Sequence, residues 1–245
     1  MPHAPSLLPA GDSAIVVEYG DGIDPGLNAR VRLLHRALGA RPLAGIVETV
    51  PTYRSLMVHY DPMVLSREAV EHVIAEAAER LPEESREAVR AVEIPVLYGG
   101  GAGPDLAEVA ALAGLDEQEV VALHASGDYV VFMLGFMPGF PYLGGLPPRI
   151  ATPRLATPRT VVPAGSVGIA GGQTGIYPSE SPGGWRLIGR TPVALFDPSL
   201  SPPALLEAGD RVRFVPVTPA EYDAIVLDIG EGSYRPVIRA GSARR

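Results

Sequence analysis

The chain is predicted to hold two domains of different class: an α+β domain of β-α-β-β-α order over residues 1–86 and a mainly-β domain over residues 87–245. Three observations carry this. Before Pro82, stretches with apolar residues at helical spacing alternate with short strand-like runs. From Tyr129 onward, short Val- and Ile-containing runs are punctuated by Gly and Pro, the pattern of short strands joined by tight turns in a barrel or sandwich. Between them, Pro82 to Arg90 is polar and charged, and the hydrophobic period changes after it, which places the domain boundary there.

Taken in order, Ala14 to Tyr19 is an apolar strand followed by the turn Gly20-Asp21-Gly22. Asp24 is a good N-cap with Pro25 at the first helical position, and Leu27, Val31, Leu34 and Leu38 form one face before Gly39. Ile46 to Thr52 and Ser55 to Tyr60 read as a hairpin that ends at Asp61-Pro62. Ser66 caps a second helix with Val70, Val73, Ile74, Ala77, Ala78 and Leu81 inward and four glutamates outward, and Pro82 ends it. With the strand Ala91 to Tyr98 as a possible closing member, the order matches an α+β sandwich of ferredoxin-like type. A Gly-rich turn, Tyr98 to Asp105, then leads into a helix bearing Leu106, Val109, Ala110 and Ala113; either a flexible turn or a phosphate cradle is compatible with it. Asp116 and Glu119 make a capping box for the next helix, which carries Val120, Val121 and His124.

The twenty residues Tyr129 to Pro148 carry no charge, but their glycines and prolines break any membrane-spanning helix. Aromatics at Phe132, Phe136, Phe140, Tyr142, Tyr177 and Trp185 supply the apolar surface that a disordered Gly/Pro-rich segment lacks. The N-terminus shows no signal-peptide pattern, so the cytoplasm is the expected location.

Composition removes several chemistries. There is no cysteine and no lysine, so disulfides, thiolate nucleophiles, Schiff bases and a lysine-bearing phosphate loop are excluded for this chain acting alone. A formal net charge of -8, with neither half basic, disfavours nucleic acid and anionic membranes as partners. The five histidines show no metal-ligand spacing, and none lies beyond His124. No metal site is expected.

Two constellations stand out. Pro148-Arg149, Pro153-Arg154 and Pro158-Arg159 recur every five residues, and each proline orients an arginine able to grip a carboxylate or phosphate. Because a strand repeats every two residues, at most two of the three are expected to converge. Gln173, Thr174, Tyr177, Ser179, Ser181 and Trp185 lie among glycines, a mixture suited to a small-molecule pocket rather than a hydrolytic triad. His124 ends its helix just before the uncharged stretch, where it serves either the helix dipole or a site.

The order of Tyr98-Gly99-Gly100, Gly103-Pro104-Asp105-Leu106, Leu134-Gly135-Phe136, Pro138-Gly139-Phe140-Pro141-Tyr142-Leu143, Val162-Pro163-Ala164-Gly165-Ser166-Val167, Gln173-Thr174, Ser181-Pro182-Gly183-Gly184-Trp185 and Gly189-Arg190-Thr191-Pro192 closely resembles the family known as allophanate hydrolase subunit 1, kinase A inhibitor (KipI) or the B-type subunit of the bacterial 5-oxoprolinase, from about Asp12 to Asp228. The resemblance implies a cyclophilin-like β-barrel after the α+β domain. It implies ATP-driven opening of 5-oxoproline to glutamate, in which phosphorylating the lactam oxygen would turn a poor electrophile into one with a good leaving group. It also implies two partners within a 5-oxoprolinase: a C-type subunit, resembling allophanate hydrolase subunit 2, and an A-type subunit. By the same analogy, His124 and the aromatics near it lie close to a small amide or lactam substrate. His124, Arg154 and Arg159 are therefore the candidate catalytic residues, and Phe136, Phe140, Tyr142, Gln173, Tyr177 and Trp185 the candidate substrate-binding residues. ATP is expected on a partner or shared with one, and the chain is expected to be inactive alone. The alternatives are a binding protein that inhibits a sensor histidine kinase, a component of a urea carboxylase or allophanate hydrolase system, and a peptidyl-prolyl isomerase suggested only by the barrel.

Overall fold

The computed structural model describes residues 5–82 and 89–241. The chain forms two compact units, residues 1–87 and 88–245. Residues 83–88, within the stretch where the sequence places the boundary, lie outside the described residues.

In the first unit the strands β1 (Ser6–Pro9), β2 (Ala14–Glu18), β3 (Ile46–Pro51) and β4 (Ser55–Tyr60) form an antiparallel sheet in the order β1-β2-β4-β3. Helices α1 (Pro25–Gly39) and α2 (Arg67–Glu79) supply Val31, Leu34 and Leu38, and Val70, Ile74 and Ala78, to the core. Alternation in the strands turns Ile15 and Val17, and Leu56, Val58 and Tyr60, to the same core. Both helix starts follow the residues the sequence marks: the Asp24 carboxylate accepts from Gly26 and Leu27 N–H, and the Ser66 hydroxyl from Ala69 N–H. The edge strand differs from expectation. The outer place beside β2 belongs to β1, and no part of Ala91 to Tyr98 closes this sheet. Ser6–Pro9 carries only two adjacent leucines and a proline, too short for a periodic signal.

The second unit is built on a closed ring of seven strands: β5 (Val89–Tyr98), β6 (Tyr129–Leu134), β7 (Pro141–Gly144), β9 (Ser166–Ala170), β10 (Gln173–Ile176), β12 (Arg186–Arg190) and β13 (Arg211–Pro216). Neighbours run β12-β9-β10-β7-β6-β13-β5, and pairing of Gly189 with Tyr98 joins β12 back to β5. All pairs in the ring are antiparallel except β5 with β13. A separate ribbon joins β8 (Arg159–Val162) to β11 (Ser181–Gly183), and β14 (Val237–Gly241) adds to β5 outside the ring. Helices α3 (Leu106–Ala113) and α4 (Glu117–Ser126) connect β5 to β6, and their Leu106, Val109, Ala110 and Val120 enter the barrel core with Ile94, Val131, Leu143, Ile169, Ile176, Ile188 and Phe214. The capping box of α4 is present, with the Asp116 carboxylate accepting from Glu119 N–H at 2.7 Å and Glu119 from Asp116 N–H at 3.0 Å. Helix α5 (Pro219–Gly230) starts on a similar box at Thr218 and Glu221, and contributes no fully buried side chain.

The Gly-rich turn after β5 is a packing device. Gly99, Ala102, Gly103 and Asp105 all donate their N–H to backbone carbonyls, two of them on β12. A Cβ on Gly103 would collide with the Ile188 carbonyl, so glycine is required for the turn to lie against β12. This arrangement does not fit a phosphate cradle. Among the described residues no helix is long and apolar enough to cross a membrane.

Candidate active site

The barrel wall separates the predicted site residues into two sets. Thr174 and Ile176 point inward, whereas Gln173 and Gly175 lie on the outer face of β10 and Tyr177 continues that face. On the outside, Phe140, Val162, Ala170, Tyr177, Trp185 and Leu187 form a second buried cluster, with Met137 and Tyr142 packed on it.

Phe140 is its hub, with ring centres 5.0 Å from Tyr142, 5.3 Å from Tyr177, 5.5 Å from Trp185 and 5.6 Å from Phe136, all at steep angles. Gly175 makes this possible, since a Cβ there would stand 3.1 Å from both the Phe140 and Trp185 rings and 2.9 Å from the Pro141 carbonyl. Phe136 projects from the rim. It is 65% exposed and has φ +68, and Met137 N–H donates to the Gly135 carbonyl around it at 2.8 Å, the mark of a strained γ-turn. A non-glycine residue held this way costs about 1–3 kcal/mol, and such strain concentrates at ligand sites.

Two of the three predicted arginines act on this cluster through their charge. Arg149 is exposed on a single 3-10 turn at Pro148–Ile150, whereas the positive charges of Arg154 and Arg159 both act on the Tyr177 phenol. Burial raises that phenol above its ordinary range, and the Trp185 backbone N–H and the two arginines oppose the rise. Arg154 is exposed. Arg159 is half-buried and paired with Asp105 at 2.6 Å.

His124 does not join them and lies on the inner side of the barrel wall. It is fully buried in the barrel interior, with rings of Tyr98, Tyr129 and Phe214 around it. The Thr174 hydroxyl donates to the Gly168 carbonyl at 2.9 Å, so it must accept from His124 Nε2 at 2.9 Å, and Nδ1 then accepts from the Tyr98 hydroxyl at 2.7 Å. Burial pushes the ring down to about 3, which keeps it neutral. Both nitrogens are engaged in holding the core together. Gln173 is half-buried at the edge of the outer face, where it faces Ala170 in register.

Sequence reasoning passes over Asp105 and the Tyr98 hydroxyl, and it groups Thr174 with a pocket from which the barrel wall divides it. Asp105 looks like an ordinary residue before a helix, and its partners Arg159 and Leu187 are 54 and 82 positions away. The outer face thus combines apolar ring surfaces, phenol hydroxyls and two guanidiniums, a composition suited to a small molecule with saturated carbons and an anionic group. No group of His, Cys, Asp and Glu among the described residues is arranged to hold a metal ion.

Residues 5–206 match the family described as carboxyltransferase domain, subdomain C and D. The chain is 46% identical over 224 residues to a protein of Bacillus subtilis named as the B-type subunit of 5-oxoprolinase, covering 87% of this chain and 93% of that one. It is 49% identical over 209 residues to a protein of Escherichia coli O157:H7 with the same name, covering 84% and 93%. Among solved structures it resembles TTHA0988 with TM-score 0.76 and 43% identity, over 84% of this chain and 40% of that longer one.

Proposed function

Because the chain belongs to the carboxyltransferase domain, subdomain C and D, family, we propose that it is the B-type subunit of an ATP-dependent 5-oxoprolinase, opening 5-oxo-L-proline to L-glutamate together with A- and C-type subunits. The observation that carries the reading is that relatives matched over nearly their whole length share that name.

The outer-face site is compatible with this substrate. Phe136 and Tyr142, at the rim of the buried cluster, offer apolar surface for the ring methylenes of 5-oxoproline, and Arg154 and Arg159 offer positive charge for its carboxylate. Tyr177 places a phenol between the two. These residues bind and orient; a general base is not among them, because His124 is neutral and sealed inside the barrel. The glycine turn does not suit a triphosphate, so we assign ATP to a partner. Activation of the lactam and attack by water then need groups from more than one chain.

The test is an assay of glutamate and ADP released from 5-oxoproline and ATP by this chain alone, by this chain with its C-type partner, and by the complete set of three. Products are expected only from the full set. Turnover by the A- and C-type subunits without this chain would remove it from the enzyme.

A further inference from the structure

Asp105 holds Arg159 in an unusual way. A carboxylate facing a guanidinium ordinarily takes two parallel hydrogen bonds, one to each oxygen. Here only Oδ1 faces the arginine, accepting from Nη2 at 2.6 Å, while Oδ2 is occupied by the Leu187 N–H, also at 2.6 Å. Asp105 is itself buried and its own N–H returns to the Leu187 carbonyl at 2.9 Å, so the carboxylate is fixed to β12 and cannot turn to complete the pair. The consequence falls on Arg159 Nη1, which is buried and has no hydrogen-bond partner. A buried unmatched donor is costly, and one retained beside a candidate site asks for an acceptor.

Tyr177 supplies a second donor at the same place. Gly183 faces Arg159 across the β8–β11 ribbon, and the Tyr177 hydroxyl lies 2.5 Å from where a Cβ on Gly183 would stand. That oxygen accepts from the Trp185 backbone N–H, which leaves its own proton to donate. Arg154 adds a second positive charge at the exposed side. Two donors and two cations around a desolvated spot beside aromatic rings make a receptor for one anionic oxygen pair.

We propose that Asp105 is the positioning residue of an anion subsite in which Arg159 Nη1 and the Tyr177 hydroxyl receive the carboxylate of a small ligand. The proposal deepens the 5-oxoprolinase reading and rests on it for the identity of that ligand. The same donors would also suit a phosphate, and the experiment separates the two.

Trp185 is the only tryptophan of the chain and its ring centre lies 6.5 Å from that of Tyr177, so its fluorescence reports on the subsite. The full chain is titrated with 5-oxoproline, with 2-pyrrolidinone, which is the same lactam without the carboxylate, and with inorganic phosphate. Saturable change with 5-oxoproline and at least about tenfold weaker response to 2-pyrrolidinone are expected, and Arg159→Gln or Asp105→Asn should remove most of that preference. Tyr177→Phe should weaken 5-oxoproline by roughly tenfold to a hundredfold, the size of one hydrogen bond to a charged group. If Asp105 is merely structural, Asp105→Asn lowers the melting temperature and leaves the preference intact, and the proposal fails. It fails equally if the two lactams respond alike in the unaltered chain, or if phosphate binds and 5-oxoproline does not. Should Asp105→Asn not fold, Arg159→Gln and Tyr177→Phe still decide. Loss of the enzymatic reading in the turnover assay would leave this titration free to support or reject the subsite.

Discussion

His124 shows how burial fixes the protonation state of a residue whose sequence position leaves its surroundings open. Its neutral ring is sealed in the barrel with both nitrogens engaged, so folding excludes the protonated form. The sign of the pH dependence follows. The folded value is depressed to about 3 from 6.5, so the unfolded chain binds the extra proton between these limits. The stability that depends on the neutral ring is complete above pH 6.5 and falls by about 1.4 kcal/mol for each unit of acidification below it, until about pH 3. Denaturant titrations of the chain and of His124→Asn should differ in this window: the variant is expected to be less stable at pH 8 by about 1–3 kcal/mol, from lost hydrogen bonds and imperfect packing, and to have a shallower acid slope. Equal slopes would show that His124 does not carry the acid sensitivity.

Among the elements, the turn after β5 has the strictest requirement. Two of its four donated N–H groups, those of Gly99 and Asp105, tie it to β12 at the seam where the ring closes, and the other two close the turn on the Gly99 carbonyl. Gly103→Ala places a methyl group against the Ile188 carbonyl, and backbone on both sides must shift to admit it. We expect a loss of about 3 kcal/mol or somewhat more, above the usual range for overpacking because both colliding groups are main chain. Gly101→Ala is the control. A Cβ at Gly101 meets nothing within 4 Å and its φ is not positive, so the change should alter stability by less than about 0.5 kcal/mol. Urea midpoints of the two variants measure the difference, and comparable midpoints would show that the turn yields more easily than its geometry implies.

At the scale of the whole molecule, each unit has its own apolar core. Arg86 lies in the polar stretch between them, and Arg80 and Arg90 flank it. Brief trypsin treatment is therefore expected to cut between Leu81 and Arg90 and to release fragments of roughly 9 and 17 kDa, as scaled from chain length at about 0.11 kDa per residue. Mass spectrometry of the products checks the position. A single resistant core without cleavage in that stretch would count against separable units.

The sequence by itself determined the local features, because they depend on neighbours a few positions apart. Asp24 with Pro25, Ser66, and Asp116 with Glu119 announce helix starts, and the alternation at Ile15-Val17 and Leu56-Val58-Tyr60 announces the buried face of a sheet. The glycines and aromatics from Phe136 to Trp185 likewise announce a place where rings crowd against bare backbone. What only the tertiary structure decided depends on residues far apart in the chain. The short edge strand Ser6–Pro9 is held by pairing with β2 rather than by any pattern of its own. Strand β5 joins the ring because β12 and β13 meet it there. His124 lies inside and Arg159 on the outer face, although the sequence makes both candidates for one site, because the barrel wall runs between them. Asp105 acquires its role only when folding brings it to Arg159 and Leu187. A carboxylate's function is set by what it can reach once its surroundings exclude water, and linear spacing does not contain that distance.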